Sequence, residues 1–326
     1  MKMLYASVAL YTALSAAAFA AECTLKPAFE QIDDEGERMA PVWDSGKGTP
    51  LFFGSNLAIN TDGNKRSYSV LDFWGHKDAL NNLCNAMADK CDSNSDGNLT
   101  DDEMIARRKL TENARAKKWP PNLLAETKIE PKIIPLRDDG KPCDEVDGFL
   151  VSATALANPK IENLCDQNRY LDAVKVSAIV LPGQLKKKTP TGVVAEPTGF
   201  DLRNAKVGDL VAVFRRDGTK VAFGVVGDSG PKRNLGEGTI RLAGSLLGKA
   251  DEPVNYDEIM GRPPFEGKGW AMKRVYTVIF PGTRNTSDPF ITQDRIDKAA
   301  SVLLEKWGGK KKFEACRDEY LAAEGQ

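Results

Sequence analysis

Two carboxylates nine residues apart stand out in the segment GVVGDSGPKRNLGEGTIRL, residues 224–242. Asp228 and Glu237 each lie beside glycines, whose missing side chains leave room for a bulky ligand to approach the backbone. Two carboxylates across a cleft are the minimum for glycoside hydrolysis: one protonates the leaving oxygen, and the other activates water or attacks directly. The flanking sequences predict two strands of a hairpin, with both acids at facing strand ends. The pattern alone also allows an acidic turn without chemistry.

The histidine content restricts the chemistry that any other site could use. The chain has one histidine, His76, in FWGHKDAL, a context typical of the start of a helix. A Ser-His-Asp triad would have to use this residue, and a zinc site with several histidines is excluded. If the protein is an enzyme, we therefore expect carboxylates to be its acid and base groups.

The N-terminus indicates export. Residues 1–20 predict a signal peptide, with a basic Lys2, an apolar stretch and an A-x-A cleavage pattern at residues 18–20. No later segment is apolar enough to span a membrane, so we expect a secreted or periplasmic protein. An even number of cysteines in an exported protein indicates up to three disulfides, and the 15 possible pairings stay open. The cysteines are Cys23, Cys84, Cys91, Cys143, Cys165 and Cys316.

Charge and size limit the partners. The 326 residues include 45 Lys and Arg against 46 Asp and Glu. No long basic segment with interleaved aromatic residues occurs, so we expect no nucleic-acid partner. The length is sufficient for one large domain or two ordinary ones, and we expect a monomer.

Residues 92–103, DSNSDGNLTDDE, fit the loop of an EF-hand. Gly97 stands where that loop turns sharply, and Leu99 stands where an apolar residue packs inward. The flanking residues predict an entering helix over DALNNLCNAMADKC and a leaving helix over EMIARRKLTENARAKK. Hard oxygen ligands favour Ca²⁺, and a single loop in an exported protein predicts a structural ion. The predicted ligands are Asp92, Asn94, Asp96, Asn98 and Glu103.

The hydrophobic pattern predicts a mainly β protein with helices, of the α+β class. Short apolar segments separated by Gly, Pro and Asp follow residue 145 and predict the strands of a barrel or sandwich. They are GFLVSATAL, AVKVSAIVLPG, GDLVAVFR, KVAFGVVGD, TIRLAGSLLG and RVYTVIFPG. Near the C-terminus, Ile296, Ala300, Leu303 and Trp307 share one helical face, and glycines at 308 and 309 end that helix.

Residues 223–243, FGVVGDSGPKRNLGEGTIRLA, resemble the signature region of glycoside hydrolase family 75, the chitosanases. In that resemblance Asp228 and Glu237 match the two catalytic carboxylates at the same spacing, and Thr239 replaces a serine. NLAINTDGN at 56–64 resembles an early segment of the family, with Asn60 in place of its first Asp. Further colinear similarities are GFLVSATALANP, RYLDAVKVSAIVLPGQL, VGDLVAV and VYTVIFPGT.

The resemblance implies a fold and a domain organisation. It covers residues 50–75 and 145–310, so residues 77–120 with the calcium loop look like a helical insertion. Residues 21–76 and 121–326 would then form one hydrolase domain. The Asp-x-Gly arrangement is also similar to the six-stranded double-psi β-barrel of lytic transglycosylases. Family 75 enzymes are regarded as inverting, which implies carboxyl groups about 6.5–9.5 Å apart. Which acid donates the proton stays open.

A chitosanase would act on a polymer of β-1,4-linked glucosamine, whose cationic amines favour extra acids in the cleft. Asp62 and Asp201 are candidates for substrate binding, and Trp270 is a candidate for stacking on a sugar. Turn formation by the aspartates and core packing of the tryptophan are equally compatible with the sequence. Two other functions stay open: cleavage of peptidoglycan by the same fold, and a non-catalytic, calcium-stabilised module that binds glycan or protein.

Overall fold

A computed structural model describes residues 22–32, 39–189, 192–230 and 235–324. The predicted signal peptide lies outside the described residues. The strands are β1 Lys26–Ile32, β2 Met39–Asp44, β3 Leu51–Asn60, β4 Ala178–Pro182, β5 Leu185–Thr189, β6 Gly192–Glu196, β7 Leu210–Arg215, β8 Val221–Gly230, β9 Glu237–Thr239 and β10 Met272–Phe280. The helices are α1 Asp101–Ala116, α2 Pro121–Thr127, α3 Gly199–Leu202, α4 Ile240–Leu247, α5 Tyr256–Met260, α6 Gln293–Trp307 and α7 Gly309–Glu324.

Six strands close into a barrel, in the order β3-β10-β7-β8-β4-β9, because β9 pairs with both β4 and β3. Strands β1 and β2 extend this sheet beyond β3. Most neighbouring pairs are antiparallel, but β3–β9 and β4–β8 are parallel. The predicted α+β class with a six-stranded barrel is therefore confirmed.

Alternate residues along the barrel strands pack into two separate apolar clusters, as a strand period of two requires. Phe53, Val211 and Ile279 belong to a cluster shared with α3 and α4. Phe52 and Phe214 belong to the other, which packs against α6 and α7. The amphipathic helix predicted near the C-terminus is confirmed as α6, whose apolar face covers the barrel.

Two predicted strands are wrong. The segment GFLVSATAL forms no strand and makes only isolated bridges, such as the one between Leu150 and Tyr68. TIRLAGSLLG contributes only Thr239 to β9 and then forms α4, because Thr239 caps the N-terminus of the helix and Gly248 caps its C-terminus in the left-handed region. Leu242 and Leu246 are buried one helical turn apart, a spacing that a short apolar segment does not distinguish from a strand.

The predicted entering helix of the calcium loop is also wrong. Only a 3-10 turn, Leu83–Ala86, forms there, whereas the predicted leaving helix is confirmed as α1. A disulfide joins Cys84 to Cys91 with a Cα–Cα distance of 5.3 Å. Seven residues of α-helix would separate these atoms by about 10 Å, so the bond is incompatible with a continuous helix.

Two further disulfides pair Cys23 with Cys316 and Cys143 with Cys165, and the described residues include no free cysteine. Three disulfides are typical of exported proteins. The Cys23–Cys316 bond ties the N-terminal segment to α7 across 293 positions of the sequence. No helix within the described ranges is long and apolar enough to cross a membrane.

Candidate functional site

The chain between β3 and β4 packs a core of its own and forms one wall of a cavity; the barrel forms the other. Met87 and Ile129 belong to that separate core. The cavity has a volume of about 460 Å³, within the usual range for ligand sites. We call it the acidic cavity, since four carboxylates and two lysines line it. These residues are Asp62, Glu130, Asp228, Glu237, Lys90 and Lys132.

Asp228 and Glu237 both line the acidic cavity, but not as the ends of a hairpin. Strand β4 lies between β8 and β9, and Val180 of β4 pairs with Asp228 on one side and with Glu237 on the other. The predicted hairpin is therefore wrong. Two strand spacings place the Cα atoms of the acids roughly 10 Å apart. The loop at 231–234 that connects them lies outside the described residues.

A β-bulge sets the direction of Asp228. The register of β8 against β4 shifts between Val226 and Asp228, which leaves Gly227 as the extra residue. A Cβ atom on Gly227 would lie 2.8 Å from that of Ala178, so no larger residue fits the bulge. Bulges of this kind re-aim a neighbouring side chain, here toward the cavity.

The environment of Asp228 favours its protonated form. Burial raises the pKa of Asp228 to about 6, and the charge of Glu237 adds to the increase. The backbone N–H groups of Ser229 and Ala155 donate to Oδ1 of Asp228 at 2.7 and 3.1 Å, and these hydrogen bonds lower its pKa in part. The cavity therefore contains a carboxyl group that exchanges its proton in mild acid.

Asp62 is a third carboxylate of the same cavity. Burial raises the pKa of Asp62 to about 7, and the like charge of Asp228 contributes. Tyr68 donates its hydroxyl proton to Asp62 Oδ1 at 2.7 Å, and Asn81 Nδ2 donates to the Tyr68 oxygen at 3.1 Å. The sequence predicted substrate binding for Asp62; the structure places it beside the predicted catalytic pair.

Ionisation of these aspartates lowers the stability of the fold. The pKa values of Asp62 and Asp228 in the folded state exceed the ordinary value of 3.8. The folded state therefore binds these protons more tightly than the unfolded state. The resulting loss of stability is absent below pH 4, accumulates as the pH rises, and is complete above pH 7.

The other two predicted substrate-binding residues do not line the acidic cavity. Trp270 is 2 % exposed in the barrel core, with Nε1 donating to Glu258 Oε1 at 3.2 Å and Lys249 Nζ over its ring. Asp201 caps α3, because its carboxylate accepts from the backbone N–H of Thr198. Because Trp270 is buried in the barrel core, the prediction that it stacks on a sugar is wrong.

Several cavity residues have no local signal in the sequence. Asn81 and Lys132 reach the site from the segment between β3 and β4, and Ala155 brings a backbone N–H from an irregular loop. Tyr68, six residues after Asp62, lies near a predicted site residue in the sequence. His76 is exposed and contacts Asp257 at 2.7 Å.

The calcium loop offers a mixed fit to a cation. The described residues contain no group of three or more His, Cys, Asp or Glu side chains arranged to hold a metal ion. Glu103 accepts hydrogen bonds from Ser93 and Thr100, which hold the pKa of its carboxyl down at about 2. Asp92 Oδ1, however, is buried without a hydrogen-bond partner in the described chain, and Gly97 adopts a φ of +81°. An orphaned carboxylate oxygen in a loop of hard donors suits Ca²⁺.

Comparison with protein-family models finds none that matches the chain, and comparison with curated proteins finds no match. The function therefore has to follow from the chemistry of the acidic cavity.

Proposed function

We propose that this protein is an exported, endo-acting glycoside hydrolase that cleaves β-1,4-linked amino-sugar polymers. The observation that carries the proposal is the convergence of Asp62, Asp228 and Glu237 on one cavity between the barrel and the preceding segment. Two of these acids have raised pKa values, as an acid that must donate a proton near neutral pH requires. Such perturbed acids in a cleft are typical of catalytic sites.

Asp228 acts as the general acid and Glu237 as the base. Asp228 protonates the glycosidic oxygen while the bond to the anomeric carbon breaks, and Glu237 takes a proton from the attacking water. Their placement on either side of β4 supports an inverting mechanism, because a water molecule needs a wide gap between the carboxyl groups. The parallel pairs β3–β9 and β4–β8 in an otherwise antiparallel barrel support the double-psi topology.

The charge of the cavity favours chitosan as the substrate. Four carboxylates face two lysines there, and Lys132 already pairs with Glu130 at 2.9 Å. The glucosamine units of chitosan are cationic in mild acid, the range in which Asp228 retains its proton. The same polymer would therefore be attracted by the cavity and meet a protonated general acid.

Incubation with a panel of glycans tests this function. We expect the mature protein to release short oligosaccharides from chitosan near pH 5.5, with the α-anomer as the first product by NMR. Release from peptidoglycan sacculi alone would instead indicate a muramidase. Release from neither would contradict the proposal and favour a binding module.

For the loop at residues 92–103 we propose a structural Ca²⁺ ion held by Asp92, Asn94, Asp96, Asn98 and Glu103. Because Glu103 lies in the first turn of α1, the ion would join the loop to that helix. A ligand present at about 100 times its Kd stabilises a protein by about 2.7 kcal/mol.

We expect about 10 mM Ca²⁺ to raise the Tm of chelator-treated protein by a few degrees, with Mg²⁺ having less effect. Glu103→Gln should abolish the rise. Asp102→Asn, which removes a charge from the same loop but not a predicted ligand, should keep it. An unchanged Tm of the parent protein would contradict a calcium site.

A further inference from the structure

Asn60 is the last residue of β3 and lies on the same face of the sheet as Glu237. Ala58 pairs with Glu237 in the parallel register of β3 and β9, and side chains two residues apart along a strand point to the same face. Asn60 therefore lines the acidic cavity, where its Nδ2 lies 3.3 Å from Glu237 Oε2. The two side chains are in contact although 177 positions separate them in the sequence.

Asn60 also forms the turn that follows β3. Its Oδ1 accepts from the backbone N–H of Asp62 at 2.9 Å, the pattern of an Asx turn. This contact settles the orientation of the amide, because the oxygen must face the N–H, and it directs Nδ2 toward the carboxylates. Nδ2 carries two hydrogens and lies within reach of two acids, Glu237 Oε2 and, at 3.4 Å, Asp62 Oδ2.

The turn alone does not require an amide at position 60. Serine and aspartate side chains accept the same backbone N–H in turns of this kind. A serine hydroxyl, one bond closer to the backbone, would end short of Glu237, and an ionised aspartate would have no hydrogen to donate to it. The feature that only the amide adds is the N–H donor directed at the carboxylates.

The turn after β3 is fixed by hydrogen bonds from other segments of the chain. Gly63 donates its backbone N–H to Ser152 Oγ at 3.1 Å, and its carbonyl accepts from Gln167 Nε2 at 2.8 Å. Tyr68, which is 1 % exposed, donates to Asp62 Oδ1 at 2.7 Å. A donor carried by a turn that is held in this way can fix the carboxylate that it contacts.

We propose that Asn60 is a positioning residue, which directs Glu237 toward the attacking water through the hydrogen bond to Oε2. Asp62 supports it by fixing the amide with its backbone N–H, a role different from the substrate binding that the sequence predicted. The inference rests on the proposed function and adds no step to the reaction: Glu237 takes the proton from water, and Asn60 neither gains nor loses one.

Asn60→Ser separates the turn from the contact with Glu237. The hydroxyl can still accept from the backbone N–H of Asp62, whereas the donor to Glu237 is lost. We expect kcat on chitosan oligosaccharides to fall by about 10- to 100-fold with little change in KM, because a misdirected base slows the chemical step without weakening binding. Asn60→Ala, which removes both contacts, should lose as much kcat and also lower the Tm.

Asn158→Ser is the matched control. Asn158 forms the same kind of turn, since its Oδ1 accepts from the backbone N–H of Lys160 at 3.0 Å, but it lies outside the lining of the acidic cavity. This variant should retain the kcat of the parent. If Asn60→Ser also retains it, or raises KM alone, Asn60 only forms a turn or binds substrate, and the proposal is overturned.

A double-mutant cycle tests whether Asn60 acts through Glu237. Glu237→Gln already lacks the base, so adding Asn60→Ser to it should lower kcat by about twofold or less, in place of the larger loss in the parent. Equal losses in the two backgrounds would overturn the proposal, since the effect of Asn60 would then be independent of the carboxylate.

The pH dependence tests the hydrogen bond itself, because a donated N–H favours the charged form of a carboxylate. Asn60→Ser should therefore move the acidic limb of the kcat profile to higher pH. By ¹³C NMR, which does not use activity, the Glu237 carboxyl group should also titrate at higher pH than in the parent. An unchanged titration would overturn the proposal. The variant leaves in place the other titratable groups that line the cavity: Asp62, Tyr68, Lys90, Glu130, Lys132 and Asp228.

Failure of this proposal and failure of the proposed function are distinguishable. If the parent protein cleaves no glycan, both fall. If it cleaves chitosan and Asn60→Ser retains its kcat, only the role of Asn60 falls.

Discussion

Asp228→Asn is expected to reduce the kcat on chitosan by about 10³-fold, since the amide keeps the volume of the side chain but cannot donate the proton. The substitution should preserve the fold. Its carbonyl oxygen can still accept from the backbone N–H groups of Ser229 and Ala155, and the buried charge is removed. We therefore expect an unchanged or higher Tm above pH 7.

Glu237→Gln should reduce kcat to a similar degree, because the attacking water loses its base. The amide oxygen can still accept from Asn60 Nδ2, so the link to Asp62 is retained. Glu266→Gln and Asp251→Asn, both at exposed positions, are the matched controls. Initial rates with a defined chitosan oligosaccharide provide the measurement. Variants of Asp228 and Glu237 that cleave at the rate of these controls would contradict the assignment of the catalytic pair.

The amide of Asn60 has a physical role in the cavity. Under the proposed resemblance to family 75 an aspartate would stand at this position, and a carboxylate there would add a further negative charge beside Asp62 and Glu237. The amide supplies a donor to both acids. The replacement therefore changes a repulsive contact into an attractive one, which is compatible with an active site.

Local patterns in the sequence predicted many of the barrel strands, but not which strands pair with each other. Strands β7, β8 and β10 follow from the short apolar segments after residue 145. The hairpin prediction failed because adjacency in sequence suggested that β8 pairs with β9. In the structure β4, which ends at Pro182, lies between them. Strand pairing depends on long-range packing, which a local pattern does not contain.

In the candidate site too, the sequence could identify some residues, whereas others needed the fold. Asp228 and Glu237 could be identified from their spacing and glycines. Ala155 and Lys132 could not, because each joins the site through the fold of a segment that has no chemical motif of its own. The role of Asp62 required the structure as well, since its pKa depends on burial and on Asp228, which is distant in sequence.

Gly63→Ala is expected to destabilise the protein by about 4 kcal/mol and to displace Asp62. Gly63 has a φ of +83°, and a Cβ atom there would lie 2.0 Å from the carbonyl oxygen of Leu171 and 2.8 Å from Thr154 Cγ2. The oxygen belongs to the backbone and cannot move aside as a flexible side chain would. The turn that positions Asp62 must therefore shift, so activity should fall together with stability.

Gly148→Ala is the matched control for this clash. Gly148 has nearly the same backbone conformation, with a φ of +84°, but a Cβ atom there would have nothing within 4 Å. It should lose only the 1–2 kcal/mol that is typical of a left-handed residue with a side chain. Urea unfolding with both variants measures the difference, which isolates the contact with Leu171 from the strain that both alanines share. Equal losses would contradict the view that close packing of the chain behind Gly63 fixes the turn that holds Asp62.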